Sequence, residues 1–258
     1  MSYWEDRMGE SLARLSNKSA KRIEKQLRQY YKDTMLRTIE DFEATYNKIL
    51  LAQEEGKEPT PADLYKLDKY WQTQAQLKKE LRKLGDKQII LLSKEFEENF
   101  FEIYYSIAIP GGRSFSSIDS FIVQQMISQI WCADGKSWSQ RIWNNTDQLA
   151  ATLNDNLIHC VATGKKPSEL KHILMERFNV SFNNADMLVR TELSHIQNQA
   201  AQKRYEDAGV EEIEIWADKD ERRCEHCGKL HQKRFPIGAP VPIPAHPRCR
   251  CSILPVIK

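Results

Sequence analysis

Four of the six cysteines of this chain lie within its last 35 residues, and their spacing constrains the fold more than any other feature. They form the pairs Cys224-x2-Cys227 and Cys249-x-Cys251, and His246 precedes the second pair. Two residues between paired cysteines let a tight turn direct both thiolates at one ion, and tetrahedral zinc then needs two further nitrogen or sulfur ligands. We therefore predict a zinc site formed by Cys224, Cys227 and Cys249 and completed by either His246 or Cys251.

The other uses of these cysteines are less consistent with the sequence. The N-terminal residues, MSYWEDRMGE, lack the basic and then apolar stretch of a secretion signal, so disulfides are not expected. A catalytic zinc ion keeps an open position, whereas this thiol-rich set can fill all four, which favours a structural ion. Metal would also order the proline-rich residues 235–247. Cys132 and Cys160 stand alone and are interpreted as small buried residues, and His226 and His231 as surface residues.

Charge and hydropathy exclude two classes of protein. Charged residues make up 29% of the chain, but the formal net charge is only +2, which argues against a surface that grips DNA over its whole area. No run approaches the roughly 18–20 apolar residues that a membrane-spanning helix requires. We therefore expect a soluble protein, made in a cytosol, with no membrane anchor.

The apolar pattern predicts a mainly α protein with a long helical N-terminal region and a small α+β zinc-knuckle module at the C-terminus. Residues 17–50 contain neither Gly nor Pro, and their apolar side chains recur every three to five residues. This stretch predicts one helix about 50 Å long, suited to an extended arm or to pairing with a partner helix. Its apolar stripe consists of Ile23, Leu27, Tyr30, Met35, Ile39, Phe42, Tyr46 and Ile49.

Breaks at Gly and Pro divide the rest of the chain. After a break at residues 56–61, Thr60 is predicted to cap a helix that ends before Gly85. Alternation over 212–217 predicts a strand, paired with a second strand over 252–257. Further helices are predicted over 87–107, 116–131, 137–164 and 168–178, and from 183 or 184 to 209. The predicted domains are an extended helical region (1–110), a helical middle region (111–180) and the zinc-binding module (181–258).

Several short motifs resemble those of a known protein family. In the C-terminal region they are Arg190-Thr191-Glu192, Trp216, Asp218, Asp220-x3-Cys224-x2-Cys227 and Pro244-x-His246-Pro247-x-Cys249-Arg250-Cys251. Together they resemble the Mu protein F-like module of the minor head, or head morphogenesis, proteins of tailed bacteriophages. The N-terminal Tyr3-Trp4-x2-Arg7 is similar to minor head proteins from phages of Gram-positive bacteria. Trp131-x2-Asp134-Gly135 and Ser139-x-Arg141-Ile142 resemble that family more loosely.

The resemblance implies a virion component rather than an enzyme, with no catalytic residues. It implies a position inside the capsid near the portal, after synthesis in the host cytoplasm, and a part in head assembly, DNA packaging or DNA ejection. The implied partners are the portal protein, with the scaffold or major capsid protein as further candidates, and a weak contact with DNA. Amphipathic helices are compatible with docking on an oligomeric ring.

A zinc-knuckle nuclease, or another DNA-acting protein, is the main alternative. It would use His246 as its base, and it would also need a second His or Asp cluster and an arginine that grips phosphate. No convincing set of this kind is present. Asp218 and Asp220 are more simply interpreted as a turn that leads to the first cysteine pair.

Two further alternatives rest on Arg and Lys residues. An ADP-ribosylating toxin is disfavoured because the chain ends seven residues after Cys251, and because Arg190 and Glu192 face different sides of a helix. DNA binding as the main activity would use a basic face early in the long helix, although acidic residues follow closely and a solvated helix face is the simpler interpretation. That face consists of Lys18, Lys21, Arg22, Lys25 and Arg28, with Lys203, Arg204, Arg248 and Arg250 as additional candidates.

Overall fold

A computed structural model describes residues 3–51, 60–110, 112–113, 117–217, 221 and 223–257, with side chains from Arg7 onward. Most of the break predicted at 56–61 lies outside the described residues. So do the side chains of Tyr3 and Trp4, and so do Asp218 and Asp220.

The described chain is mainly α with a small α+β region at its C-terminus, as predicted. The helices are α1 (Tyr3–Leu51), α2 (Pro61–Lys66), α3 (Asp68–Ser106), α4 (Ser120–Ser128), α5 (Trp138–Ala162), α6 (Pro167–Ala208) and α7 (Glu225–Leu230). The strands β1 (Glu212–Trp216), β2 (Arg234–Pro236) and β3 (Ser252–Pro255) form one antiparallel sheet in the order β2-β1-β3. In the described helices, no stretch combines the length and hydropathy that crossing a lipid bilayer requires.

Helix α3 runs through the glycine at which a helix end was predicted. The Thr60 cap is confirmed, because its side chain accepts a hydrogen bond from the backbone N–H of Asp63, but α2 ends at Lys66. Helix α3 then continues from Asp68 to Ser106 without a break at Gly85. A Cβ atom at Gly85 would overlap the ring of Trp143. The glycine therefore serves a close helix–ring contact rather than a helix end.

Helix α6 is also a single element where two helices were predicted. The sequence predicted a stop near Phe178 and a new start at Asn183 or Asn184, yet the helix continues from Pro167 to Ala208. No Gly or Pro lies between these bounds to end it. Beyond Gly209, β1 and β3 pair as predicted, with Ile215 opposite Ile253.

Packing groups the described chain into two units, each built from separate stretches of sequence. Unit 1 consists of Met1–Glu24, Leu91–Trp138 and Met187–Lys258, and unit 2 consists of Lys25–Ile90 and Ser139–Asp186. These units do not coincide with the predicted domains 1–110, 111–180 and 181–258. That division into domains stays a prediction. Long helices bring distant segments of sequence together at each of their ends.

Most of the apolar stripe of α1 lies in the interior of the protein, and Tyr30 and Met35 are half-buried. Ile23, Leu27 and Phe42 are each 0% exposed, and Tyr46 and Ile49 are almost completely buried. The interpretation of this stripe as a free arm or partner-docking face is wrong, because the chain covers the stripe itself. Apolar periodicity shows that a helix face is buried but does not show what buries it.

Candidate metal centre

The first cysteine pair is arranged by the short helix α7. Cys224 is the residue that caps this helix, and its Sγ accepts a hydrogen bond from the backbone N–H of Cys227 at 3.3 Å. Cys227 lies in the first turn and is buried, whereas Cys224 is half-buried. Both sulfur atoms are thereby directed to the same side of the turn, as the two-residue spacing predicted.

The second half of the cluster lies immediately before β3. The backbone N–H of Cys249 donates to the carbonyl oxygen of His246 at 3.1 Å, which closes a turn between the two residues. His246 is exposed, while Cys249 and Cys251 are buried at 2% and 3% exposure. The two candidate ligand pairs therefore approach each other from α7 and from the chain that enters β3.

The donor atoms of the two halves lie at distances that suit one tetrahedral ion. The Nε2 atom of His246 lies 3.3 Å from Cys224 Sγ and 3.2 Å from Cys227 Sγ, and Cys227 Sγ lies 3.8 Å from Cys249 Sγ. With Zn–S bonds of about 2.3 Å and Zn–N bonds of about 2.0 Å, tetrahedral donors lie about 3.5–3.8 Å apart. These three distances are close to the tetrahedral values, and the cluster could bind a metal ion.

Five candidate donors are present for four positions, and they fall into two groups that have Cys227 in common. Cys224, Cys227 and His246 form one group, and Cys227, Cys249 and Cys251 form another, with the donor atoms of each group within 4.8 Å of one another. His246 Nδ1 lies 2.9 Å from the carbonyl oxygen of Pro247, which can only accept. Nδ1 therefore carries the proton, and the lone pair of Nε2 faces the two sulfur atoms of the first pair.

The thiols differ in acidity in a way that suits cation binding. The hydrogen bond from Cys251 lowers the pKa of Cys249 to about 5, and that hydrogen bond together with burial raises the pKa of Cys251. A hydrogen bond from the backbone N–H of Cys227 lowers the pKa of Cys224, whereas burial raises the pKa of Cys227 itself to about 12. Negative charge is thus favoured on Cys224 and Cys249, and a cation between them would favour the thiolate of Cys227 as well.

Buried polar residues of α6 hold the chain on either side of the last cysteine. Asn198 donates through Nδ2 to the carbonyl oxygen of Cys251 at 3.0 Å and accepts at Oδ1 from the backbone N–H of Ile253 at 3.0 Å. Gln197 Nε2 donates to Ser252 Oγ at 2.6 Å, and the Tyr205 hydroxyl donates to the Ile253 carbonyl oxygen at 3.1 Å. We did not predict these residues, although polar side chains on an otherwise apolar helix face would have been a usable signal.

The family motif Arg190-Thr191-Glu192 has structural contacts in unit 1. Arg190 forms an ion pair with Glu24 at 2.8 Å, and Glu192 accepts a hydrogen bond from Trp131 Nε1 at 2.9 Å. Thr191 Oγ1 accepts from the backbone N–H of Arg248 at 3.0 Å, which joins the helix to the metal centre. The two charged residues therefore face different partners, as predicted.

Trp131 also packs its ring against His195 of α6. The two rings are stacked with centroids 4.2 Å apart, and burial lowers the pKa of His195 to about 4. Trp216, the other tryptophan among the family motifs, packs on Gly9, where an added Cβ would lie 2.6 Å from the ring. Both tryptophans thus serve packing within unit 1.

The remaining candidate residues lie outside the cluster. His226 is exposed, and the half-buried His231 accepts from the backbone N–H of Ala217 at 3.2 Å. Cys160 is buried as predicted, whereas Cys132 is only half-buried. Within the part of the chain that the structure describes, the two cysteine groups are the only sets of three or more His, Cys, Asp or Glu that could hold a metal ion. The second cluster that a nuclease needs is not found among those residues.

Comparison with known proteins agrees with the C-terminal motifs. Residues 151–254 match the family model described as phage Mu protein F like protein. These residues form a Mu protein F-like domain. The domain begins within α5, earlier in the sequence than the predicted start at residue 181, and it includes the cysteine cluster and most of β3. A Mu protein F-like domain suggests a phage head morphogenesis protein.

One curated relative extends beyond the Mu protein F-like domain. The NAD(+)--arginine ADP-ribosyltransferase EFV of Enterococcus faecalis (strain ATCC 700802 / V583) is 24% identical over 187 residues. The match covers 64% of this chain and 38% of that protein. This chain thus spans well under half the length of that relative. No solved structure matches the chain.

Proposed function

We propose that this chain is a minor head protein of a tailed bacteriophage and a non-enzymatic component of the virion. It binds at the portal inside the head and assists assembly, DNA packaging or DNA ejection. The observation that carries the proposal is the Mu protein F-like domain over residues 151–254. The scaffold and the major capsid protein are further candidate partners.

The metal centre has a structural role in this proposal. Cys224, Cys227, His246 and Cys249 would hold zinc, and the thiol of Cys251 would donate to the sulfur of Cys249 rather than bind the ion. The orientation of His246 Nε2 toward two sulfur atoms supports this set. A fully occupied protein ligand set leaves no open position for water, which suits a structural ion.

The same geometry argues against the nuclease alternative. A general base must present a free lone pair to the water that it activates. The Nε2 lone pair of His246 instead faces the sulfur atoms of Cys224 and Cys227, and its Nδ1–H is directed to Pro247. His246 is therefore a ligand in this proposal and not a base.

The name of the curated relative raises ADP-ribosyl transfer as a second candidate activity. The chain covers 38% of that protein, so a shared activity does not follow from the match. Arg190 is paired with Glu24, and Glu192 is 2% exposed and accepts from Trp131. These two residues support the helix framework in our proposal, and the chain has no transferase activity.

Portal binding is tested by co-expression. The tagged chain is expressed with the portal protein of the same phage, and the portal ring is isolated at moderate salt. We expect the chain to remain on the ring. Co-expression with an unrelated ring-forming protein serves as the matched control for nonspecific capture. A zinc-loaded, folded chain that leaves the ring completely would contradict the proposed position at the portal.

A further inference from the structure

A groove lies between α3 and α5 in unit 2, and we call it the α3–α5 groove. One wall is formed by residues from Tyr70 to Arg82 and the other by residues from Trp143 to Asn154. Each wall covers about three helical turns, which gives the groove a length of about 18 Å. Its volume is about 820 Å³. The Tyr70 hydroxyl donates to Asn154 Oδ1 at 3.0 Å at one end, and the Arg82 guanidinium lies 5.8 Å from the ring centre of Trp143 at the other.

The middle of the groove is lined by small and apolar side chains. Ala150 and Ala151 belong to α5, and Leu77 and Leu81 belong to α3. Trp71 lines one end of the groove and is 56% exposed. The two alanines leave space that larger side chains would fill. An apolar groove between two packed helices is the shape into which a third, amphipathic helix packs.

Polar groups in the groove lack the partners that would neutralise or satisfy them. Among the residues that the structure describes, no carboxylate forms an ion pair with Lys78 or Arg82, and no acceptor reaches the buried Nε2 of Gln74. Asp147 is the one carboxylate among the described residues that line the groove. The groove therefore has a small excess of positive charge, and a buried donor in it still needs an acceptor.

Helix α4, in unit 1, exposes an apolar surface. Phe121 and Ile122 are 65% and 46% exposed, and Ile130, two residues beyond the end of the helix, is 56% exposed. We call these three residues the α4 patch. The helix has nine residues and is therefore about 14 Å long, so it fits within the length of the α3–α5 groove.

Carboxylates lie at the N-terminal end of the α4 patch. Asp119 caps the helix by accepting a hydrogen bond from the backbone N–H of Phe121, and Glu97 accepts from Gln124 Nε2 at 3.3 Å. No Lys or Arg of the described residues forms an ion pair with either carboxylate. The patch thus combines apolar side chains with negative charge, whereas the groove combines an apolar centre with positive charge.

We propose that the α4 patch of one copy of this chain packs in the α3–α5 groove of a second copy. Phe121 and its neighbours would cover the two alanines and Trp71, and the carboxylates beside α4 would face Lys78 and Arg82. The two surfaces differ, so the contact is heterologous, and its repetition produces a ring or a filament rather than a closed dimer. The inference goes beyond the proposed function and does not depend on it.

The size of the two surfaces predicts a weak contact. One short helix in a groove buries less than the roughly 1,200 Å² at which standard interfaces begin. Association should therefore increase with protein concentration. The apolar centre should supply most of the affinity, and the charges should orient the two copies, so added salt should weaken association only in part.

The test is sedimentation velocity of the full-length, zinc-loaded chain over a range of concentrations, without portal protein. The groove variant carries Lys78→Glu and Ala151→Glu, which place acidic side chains at two exposed positions of the groove. The patch variant carries Phe121→Gln and Ile130→Gln, which remove apolar area from the α4 patch.

A matched control carries Leu51→Gln and Ile90→Gln. These two residues are 85% and 71% exposed and lie outside both surfaces, so the control removes a similar apolar area elsewhere. Circular dichroism shows whether each variant keeps its helix content. Lys78→Glu alone replaces the groove variant if the double substitution reduces helix content.

We expect the wild type and the control to associate as the concentration rises. Each of the two test variants alone should associate about 10-fold or more weakly. An equimolar mixture of the two test variants should form a 1:1 dimer and no larger species. The reason is that such a pair retains one intact patch, on the groove variant, and one intact groove, on the patch variant.

Several outcomes would overturn the proposal. A wild-type chain that is still monomeric at about 1 mM, the dissociation constant of a very weak complex, would exclude the contact. Wild-type association by either test variant alone would assign self-association to another surface, and a mixture that stays monomeric would show that groove and patch do not meet. Equal weakening of the control would indicate nonspecific apolar association. Because portal protein is absent, none of these results bears on portal binding.

Discussion

Unit 2 and the C-terminal residues 221–258, which we call the metal module, bury different kinds of side chain. The interior of unit 2 contains large apolar residues on successive helix turns, such as Leu27, Phe42, Leu153 and Leu157, each 0% exposed. Among the described residues from 221 to 251, only five are buried, and three of those are cysteines. The five are Cys227, Leu230, Ile243, Cys249 and Cys251.

From this difference we infer that the two regions depend on different sources of stability. Each buried apolar side chain of unit 2 contributes about 1.5–3 kcal/mol, so stability is distributed over many residues. The metal module has too few such side chains to order its proline-rich loop by burial. In our proposal its order depends on one zinc ion, and zinc binding in small zinc-finger peptides is worth about 10–16 kcal/mol.

The largest effect should follow from Cys227→Ser, because Cys227 belongs to both groups of candidate ligands. We expect the variant to lose its zinc, and amide hydrogen exchange over residues 221–251 to rise strongly while exchange in α5 is unchanged. Zinc content and exchange mass spectrometry check this. Cys132→Ser, outside the cluster, is the control and should keep one zinc ion per chain. Full zinc occupancy in Cys227→Ser would remove the metal assignment.

A second test of the metal module asks whether His246 or Cys251 is the fourth ligand of the ion. Cobalt replaces zinc in such sites and shows a charge-transfer band whose intensity increases with the number of thiolate ligands. We expect the band to be unchanged in Cys251→Ser and weaker in Cys249→Ser. A weaker band in Cys251→Ser would show that Cys251 is the fourth ligand and that His246 lies beside the ion without binding it.

A smaller but still large effect should follow from Leu153→Ala in unit 2. Removing a completely buried leucine side chain costs about 2–5 kcal/mol of unfolding free energy, because contacts are lost and a cavity remains. Denaturant unfolding measures the loss, and Leu51→Ala, at an 85% exposed position, is the matched control. Zinc content should stay at one ion per chain. Loss of zinc in this variant would show that the two regions are not independently stabilised.

The smallest effect concerns pH. Burial lowers the pKa of His195 to about 4, against an ordinary value of about 6.5, so the unfolded chain takes up a proton that the folded chain does not between these values. Stability should therefore fall as the pH is lowered through this window, by about 1.4 kcal/mol per unit. His195→Gln should lose about 2 kcal/mol less than the wild type between about pH 6.5 and 5, with zinc in excess. Equal losses would contradict a buried neutral histidine.

The sequence alone determined the features that depend on near neighbours in the chain. The spacing of Cys224 and Cys227 specified a turn with two sulfur atoms on one side, and Thr60 followed by Pro61 and Asp63 specified a helix cap. Alternation over residues 212–216 specified a strand. In each case the relevant atoms lie within a few residues, so local geometry and hydrogen bonding decide the outcome.

Only the tertiary structure decided the features that depend on what approaches from elsewhere in the chain. Gly85 reads as a helix end in sequence but is the contact point for Trp143, and the stripe of α1 reads as a docking face but is interior. The anchoring of β3 by Asn198 likewise joins residues about fifty positions apart. Packing and buried hydrogen bonds are satisfied by spatial neighbours, and a local sequence pattern contains no record of which neighbours those are.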